Sequence, residues 1–111
     1  MAKAKASLGE VYRVIQERFG ADPEESYVAS LMAQGGDTVL RKVNEEFFEL
    51  TLAVKSGHRQ NTIHEFADLW FHLLVLMAST DVTVDDIESE LGSRFGTSGL
   101  SEKRSRSVKR A

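Results

Sequence analysis

Ile63-His64-Glu65-Phe66-Ala67-Asp68-Leu69-Trp70-Phe71-His72-Leu73-Leu74-Val75-Leu76-Met77 is the stretch that decides the fold. Its apolar positions 63, 66, 70, 73, 74 and 77 recur at helical spacing, so it reads as a helix capped by Asn61 and serving as a hydrophobic spine. Glu65 and Asp68 stand three apart on one side of that helix. Beside Phe66, Ala67, Leu69 and Trp70, such acids are unfavourable to bury unless a metal or a base pairs with them.

Upstream, Lys42-Val43-Asn44-Glu45-Glu46-Phe47-Phe48-Glu49 places Glu45 and Glu46 one turn before Glu49. Like charges at that spacing destabilise an isolated helix, and a bound cation is the simplest compensation. Asp37 is a candidate cap for this helix, Val39, Val43, Phe47, Leu50 and Val54 form its apolar stripe, and Gly57 breaks it. Phe48 and Leu52 lie off the stripe, so the helix is apolar on more than one side. The short turn Ser56–Gln60 makes the two helices antiparallel neighbours, with their carboxylates converging across the gap. Oxygen-only ligation suits Mg²⁺, with Mn²⁺ as a substitute, whereas zinc and copper sites usually recruit histidine or cysteine. A solvated acidic face is the plain alternative for either cluster taken alone.

Working outward, Ser7 and Glu10 have capping-box spacing before Leu8, Val11, Tyr12, Ile15 and Phe19, a first helix that stops at Gly20. Asp22-Pro23-Glu24-Glu25 reads as the start of a second helix carrying Tyr27, Val28, Leu31 and Met32 and ending at Gly35-Gly36. Thr83 with Asp86 opens a fifth, with Val84, Ile87, Leu91 and Phe95, that ends near Gly96. No alternating run of strand length occurs. The expected fold is an all-α bundle of about five helices, in one domain spanning 1–111 with a basic tail over 101–111.

A 111-residue domain buries only about two thirds of its unfolded surface, so a second copy could add useful core. The net charge of −3 is unevenly spread: five of the 14 basic residues fall after Glu102, leaving −8 on residues 1–102. An acidic body argues against nucleic-acid binding and suits a metal-assisted enzyme with an anionic substrate. The absence of cysteine excludes thiol catalysis and Cys-ligated zinc. The N-terminus lacks the apolar segment of a secretory signal, and the apolar run Leu69–Ala78 is far shorter than the roughly 20 residues a membrane span needs. A soluble, cytoplasmic protein is expected.

Four blocks together resemble a known family: Ser26-Tyr27-Val28-Ala29-Ser30-Leu31, Lys42 to Glu49, Glu65 to Leu76, and Ser98-Gly99-Leu100-Ser101-Glu102-Lys103. Across residues 7 to 106 the chain is similar to the phosphoribosyl-ATP pyrophosphohydrolases of histidine biosynthesis. These belong to the all-α, MazG-like nucleoside triphosphate pyrophosphohydrolases. The resemblance implies Mg²⁺-dependent hydrolysis of phosphoribosyl-ATP to phosphoribosyl-AMP and pyrophosphate. It matches Glu46, Glu49, Glu65 and Asp68 to the family's metal-binding carboxylates, with Glu45 and Glu49 as catalytic candidates. Glu45 is left to orient the attacking water or hold a second ion. Lys103 and Arg106 match a basic C-terminal element that reaches phosphate or phosphoribosyl groups.

Lys42 is a candidate phosphate contact, with charge compensation for its own helix as the alternative. His72 is expected to be a packed, hydrogen-bonded residue rather than a ligand, while His58 and His64 carry no specific signal. The chain departs from the family at Asn44, where glycine is usual, at Phe47 and Phe48, where small residues are usual, and at Thr38, often basic. The two rings bear on substrate fit. A homodimer or larger homo-oligomer is expected, and association with a separate phosphoribosyl-AMP cyclohydrolase is open, the chain being too short to contain one. A MazG-like house-cleaning hydrolase of other nucleoside triphosphates and a non-catalytic helical dimerisation module stay as the other readings.

Overall fold

A computed structural model describes residues 4–95 as five α-helices and no strand: α1 (Leu8–Glu17), α2 (Tyr27–Ala33), α3 (Gly36–Ser56), α4 (Arg59–Ser79) and α5 (Val84–Ser93). The expected helix end at Gly96, the block from Ser98, the basic tail and the candidates Lys103 and Arg106 lie outside the described residues. The all-α expectation and the helix count are met. The chain divides into two compact units, Met1–Asp81 and Val82–Ala111.

Local chemistry explains most helix ends. The Ser7 hydroxyl accepts from the Glu10 N–H at 3.1 Å, capping α1 as its spacing predicted. α2 departs from expectation. Asp22–Glu25 closes a separate turn in which Asp22 Oδ1 accepts from the Glu24 N–H, and the helix starts four residues later with Ser26 Oγ accepting from the Ala29 N–H. The proline signal marked a turn because Ser26, in extended backbone geometry, holds the better cap.

Asp37 does not cap α3. It sits in the first turn, Gly35 is the N-cap residue at φ 104°, and no side chain caps there. Gly57 ends α3 at φ 74°, in the left-handed region that glycine enters without steric penalty. Space is open around both glycines, so backbone conformation alone asks for them. α4 is capped by His58, not Asn61: the imidazole Nδ1 accepts from the Asn61 N–H at 3.1 Å.

The core of the first unit is built by Tyr12 and Ile15 of α1, Val28, Ala29 and Leu31 of α2, Val39, Leu50 and Ala53 of α3, and Leu74, Val75 and Ala78 of α4. α3 packs extensively along α4, α1 packs on α4, and α2 on α3. Across the turn, Thr62 Oγ1 donates to the Ala53 carbonyl at 3.2 Å, tying the start of α4 to the end of α3. The buried face of α3 is rotated from the predicted stripe. Thr38 and Ala53 join Val39 and Leu50 inside, while Phe47 and Val54 are 61% and 53% exposed. The first half of the predicted α4 spine, Ile63, Phe66 and Trp70, also faces outward, and of its second half Leu74 is buried while Leu73 and Met77 are half-buried.

In the second unit, α5 opens with a reciprocal capping box. Asp86 N–H donates to Thr83 Oγ1 at 3.0 Å and Thr83 N–H donates to Asp86 Oδ2 at 2.8 Å. None of its residues is buried within that unit, including the predicted apolar positions Ile87 and Leu91. Among the described residues no single helix is long and apolar enough to cross a membrane.

Candidate active site

Two helices supply the charged groups. On α3, the Lys42 ammonium lies 3.3 Å from Glu45 Oε2 and 3.6 Å from Glu46 Oε1, and Arg41 stands 3.8 Å from Glu45 on the solvent side. Glu46 is the inward member of this set, with only 14% of its side chain exposed against 51% for Glu45. Burial pulls the Lys42 pKa down, but the hydrogen bond to Glu45 and the fields of Tyr27, Glu45 and Glu46 overcome it, and the net shift is upward. Lys42 is therefore a firmly charged ammonium on the carboxylates. Glu49, one turn later, is exposed and joins none of the ion pairs among the described residues.

On α4, ligand atoms of His64, Glu65 and Asp68 lie within 4.8 Å of one another. His64 Nε2 is 3.3 Å from Asp68 Oδ2. The second oxygen of Glu65, Oε2, is buried and has no hydrogen-bond partner. A carboxylate oxygen withdrawn from water without a donor is unfavourable, and a hard cation satisfies it where no N–H or O–H is in reach. The oxygens of Glu65 and Asp68 suit Mg²⁺ or Mn²⁺, and His64 adds a nitrogen to the same cluster.

Tyr27 of α2 brings the two sets into one electrostatic environment. Partial burial raises the pKa of its phenol; Lys42 acts against that rise, and Glu46, Asp68 and Glu45 add to it. The same hydroxyl lies 2.8 Å from His72 Nε2, and His72 Nδ1 lies 2.8 Å from the Asp68 carbonyl oxygen. A carbonyl only accepts, so Nδ1 carries the proton. In neutral imidazole Nε2 is then the acceptor of the tyrosine proton. His72 is 5% exposed, and its ring meets those of Tyr27 and Phe71 edge-on at 5.7 and 5.4 Å between centroids. It is the packed histidine that the sequence implied, and it is wired to the backbone of a candidate ligand.

The structure thus joins Lys42, Glu45 and Glu46 in one group and Glu65 with Asp68 in another, with Tyr27 sensing both. Sequence reasoning left out Tyr27, His64 and the His58 cap. For Tyr27 the available signal was a polar-tipped ring opening an otherwise small and apolar helix; for His64 it was the four-residue spacing to Asp68. Phe47 and Phe48, at 61% and 60% exposure, point outward and do not narrow the gap between α3 and α4. Asn44 uses its amide to donate to the Leu40 carbonyl at 2.9 Å, and Thr38 is buried with its hydroxyl on the Gln34 carbonyl. An open depression of about 350 Å³ near the α3–α4 turn is lined by Val54, Gly57, Arg59, Thr62, Ile63 and Phe66, with no carboxylate. It belongs to the apolar outer face rather than to the charged site.

A family model described as phosphoribosyl-ATP pyrophosphohydrolase matches residues 8–95. Over 99 residues the chain is 52% identical to the phosphoribosyl-ATP pyrophosphatase of Geotalea daltonii, covering 89% of this chain and 93% of that one. Identity to the protein of the same name from Geobacter metallireducens is 50% over 99 residues, 89% of this chain and 91% of the relative. The corresponding protein of Pelobacter propionicus is 44% identical over 108 residues, 97% of this chain and the whole of the relative.

Proposed function

Because the chain belongs to the phosphoribosyl-ATP pyrophosphohydrolase family, we infer that its carboxylates hold Mg²⁺ while phosphoribosyl-ATP is hydrolysed to phosphoribosyl-AMP and pyrophosphate. This is a step of histidine biosynthesis. The single observation that supports the metal reading is the buried Glu65 Oε2, which has no donor and lies beside Asp68. Glu46 and Glu49 complete the proposed ligand set from α3.

A divalent ion at these residues would offset phosphate charge, acidify water and steady the leaving pyrophosphate. The chain's own groups do the rest. Glu45, half exposed beside Lys42, takes the proton of the attacking water and orients it, with Glu49 one turn away as the second catalytic carboxylate. Lys42 has three N–H donors and meets a phosphate oxygen from the carboxylate side. Water oxygen bonds to one phosphorus of the α–β anhydride, and the bridging oxygen leaves with the other. Lys103 and Arg106, outside the described residues, remain the candidates for further contact with phosphate or phosphoribosyl groups.

We also read the protein as a homodimer or larger homo-oligomer. Leu40, Phe47, Phe48 and Leu52 on α3 and Phe66 and Trp70 on α4 are 41–61% exposed in the single chain. That is more large apolar surface than isolated surface side chains explain, and a second copy covers it most simply. The same reading makes it a cytoplasmic enzyme, and the charge of −8 on residues 1–102 speaks against nucleic acid as its partner.

The deciding assay measures pyrophosphate release from phosphoribosyl-ATP and from a panel of ordinary and deoxy nucleoside triphosphates, with and without Mg²⁺, beside Glu49→Gln. Mg²⁺-dependent turnover of phosphoribosyl-ATP, lost in the variant, is the expected result. Turnover of the other triphosphates alone would move the substrate to the house-cleaning class while keeping the site. No turnover of any of them would overturn the enzymatic reading.

A further inference from the structure

Oxygen donors do not exhaust the α4 cluster. His64-Glu65-Phe66-Ala67-Asp68 sets a histidine beside Glu65 and four residues before Asp68. Four residues is about one helical turn, so the imidazole and the second carboxylate share a face, the spacing by which paired helical side chains meet one zinc ion. The structure brings the atoms together. His64 Nε2 lies 3.3 Å from Asp68 Oδ2, and donor atoms of His64, Glu65 and Asp68 all fall within 4.8 Å of one another. Two donors at right angles around an ion with bonds of about 2.1 Å stand about 3 Å apart, and opposed donors about 4.2 Å. Small side-chain adjustments let the three share one ion.

The other two histidines are committed elsewhere. His72 is buried, with one ring nitrogen against the Asp68 carbonyl and the other against the Tyr27 hydroxyl. His58 caps α4 through Nδ1. The His64 side chain is 66% exposed, so a dissolved ion can reach it. Glu65 supplies the independent sign that a ligand belongs at this place, since its Oε2 is buried and has no donor. An ion pair between His64 and Asp68 alone leaves that oxygen unsatisfied. A cation held by all three relieves it.

We propose that His64 is a nitrogen ligand of the α4 centre and that it extends the site from Mg²⁺ to borderline first-row ions of the Zn²⁺ and Fe²⁺ class. The inference rests on the metal reading given above for Glu65 and Asp68 and deepens it. Mg²⁺ favours oxygen donors and keeps several of its waters, so it gains little from an imidazole. Zn²⁺ and Fe²⁺ bind imidazole well. The two carboxylates serve either class, and the imidazole adds affinity for one of them only. His64 thereby sets the metal preference of the site.

The test uses the full chain with Zn²⁺ or Mg²⁺ alone. In nitrogen-15 spectra Zn²⁺ should give the His64 Nε2 signal the large shift of direct coordination, without doing so to His58 or His72. Mg²⁺ should produce no such shift. By calorimetry, Zn²⁺ affinity should fall in His64→Gln by at least about tenfold, the lower end of the loss when even a partner of a metal ligand is removed. Mg²⁺ affinity should stay as it was. Glu65→Gln should weaken both ions, which separates this centre from zinc on an isolated surface histidine. Both variants should keep the helical content of the wild type in EDTA.

A His64 signal that ignores Zn²⁺, unchanged Zn²⁺ affinity in His64→Gln, an equal loss of both ions there, or Zn²⁺ binding that survives Glu65→Gln would each overturn the inference and leave Mg²⁺ on the carboxylates. A wild type that binds neither ion would sink the metal reading and this inference with it. Zinc ligated by His64 in a protein that releases no pyrophosphate from phosphoribosyl-ATP would instead overturn the substrate assignment, with the nitrogen ligand standing.

Discussion

Glu65 Oε2 sits out of reach of both water and any donor, and a residue in that position is held at some expense to stability. Neutralising it removes the unfavourable charge along with the metal ligand. Glu65→Gln is therefore expected to melt no lower than the wild type in EDTA. Addition of Mg²⁺ should raise the melting temperature of the wild type and leave that of the variant where it was. Turnover of phosphoribosyl-ATP should fall by at least about 100-fold, the scale on which one group that stabilises transition-state charge acts. A variant that gains stability from Mg²⁺ as the wild type does would remove Glu65 from the ligand set. At this scale the sequence marks the acids proposed for the site, because an acidic pair inside an apolar run is conspicuous. Tyr27 and His72 were not legible as a pair, because 45 residues separate them and only the packing of α2 against the rest makes them neighbours.

The helices are held at their ends by side-chain chemistry that can be tested one cap at a time. His58→Ala should cost about 1 kcal/mol in urea denaturation, the usual loss when a capping acceptor is removed. His58→Asp should recover most of it, since a carboxylate both accepts from Asn61 N–H and complements the helix dipole. A His58→Ala variant as stable as the wild type would show that the Nδ1 contact contributes nothing. α5 offers a test in pH. The backbone N–H and side chain of Thr83 hold the Asp86 carboxyl below the usual aspartate range. A depressed folded pKa means that the cap is in place above the ordinary aspartate value of about 3.9 and is lost as pH falls through the lower folded value. Exchange of the Thr83 amide should accelerate only in that acid window and should show no step there in Asp86→Asn. The sequence signals for caps were reliable where the residue had no competitor, as at Ser7 and Thr83. They failed at Asp22, Asp37 and Asn61, where Ser26, Gly35 and His58 were the neighbours in the right backbone conformation.

For the whole molecule, the central observation is that α3 and α4 each carry two apolar faces and the single chain buries one. Phe48→Glu places a charge on the outer face while leaving the inner stripe of Val39, Leu50 and Ala53 untouched. Sedimentation should show the wild type as a dimer or larger and Phe48→Glu as a smaller species that keeps its helical content. An assembly unchanged by the substitution would place the subunit contact elsewhere. Because the carboxylates lie on the same two helices, activity should fall with the loss of assembly if the outer faces hold α3 and α4 in register.

By itself the sequence determined the helical class, the five elements, the two carboxylate clusters and the family, all of them consequences of local spacing or of residue blocks that survive without coordinates. Only tertiary structure decided which side of α3 and α4 turns inward. Helical periodicity marks an apolar position without saying whether its partner lies in the same chain, so Phe47, Val54, Phe66 and Trp70 read as parts of apolar stripes and are exposed in the single chain. It likewise decided that the Glu65 oxygen is buried without a donor and that Tyr27 and His72 are hydrogen-bonded neighbours. Burial and hydrogen-bond direction depend on what packs alongside, and no spacing along one chain contains that.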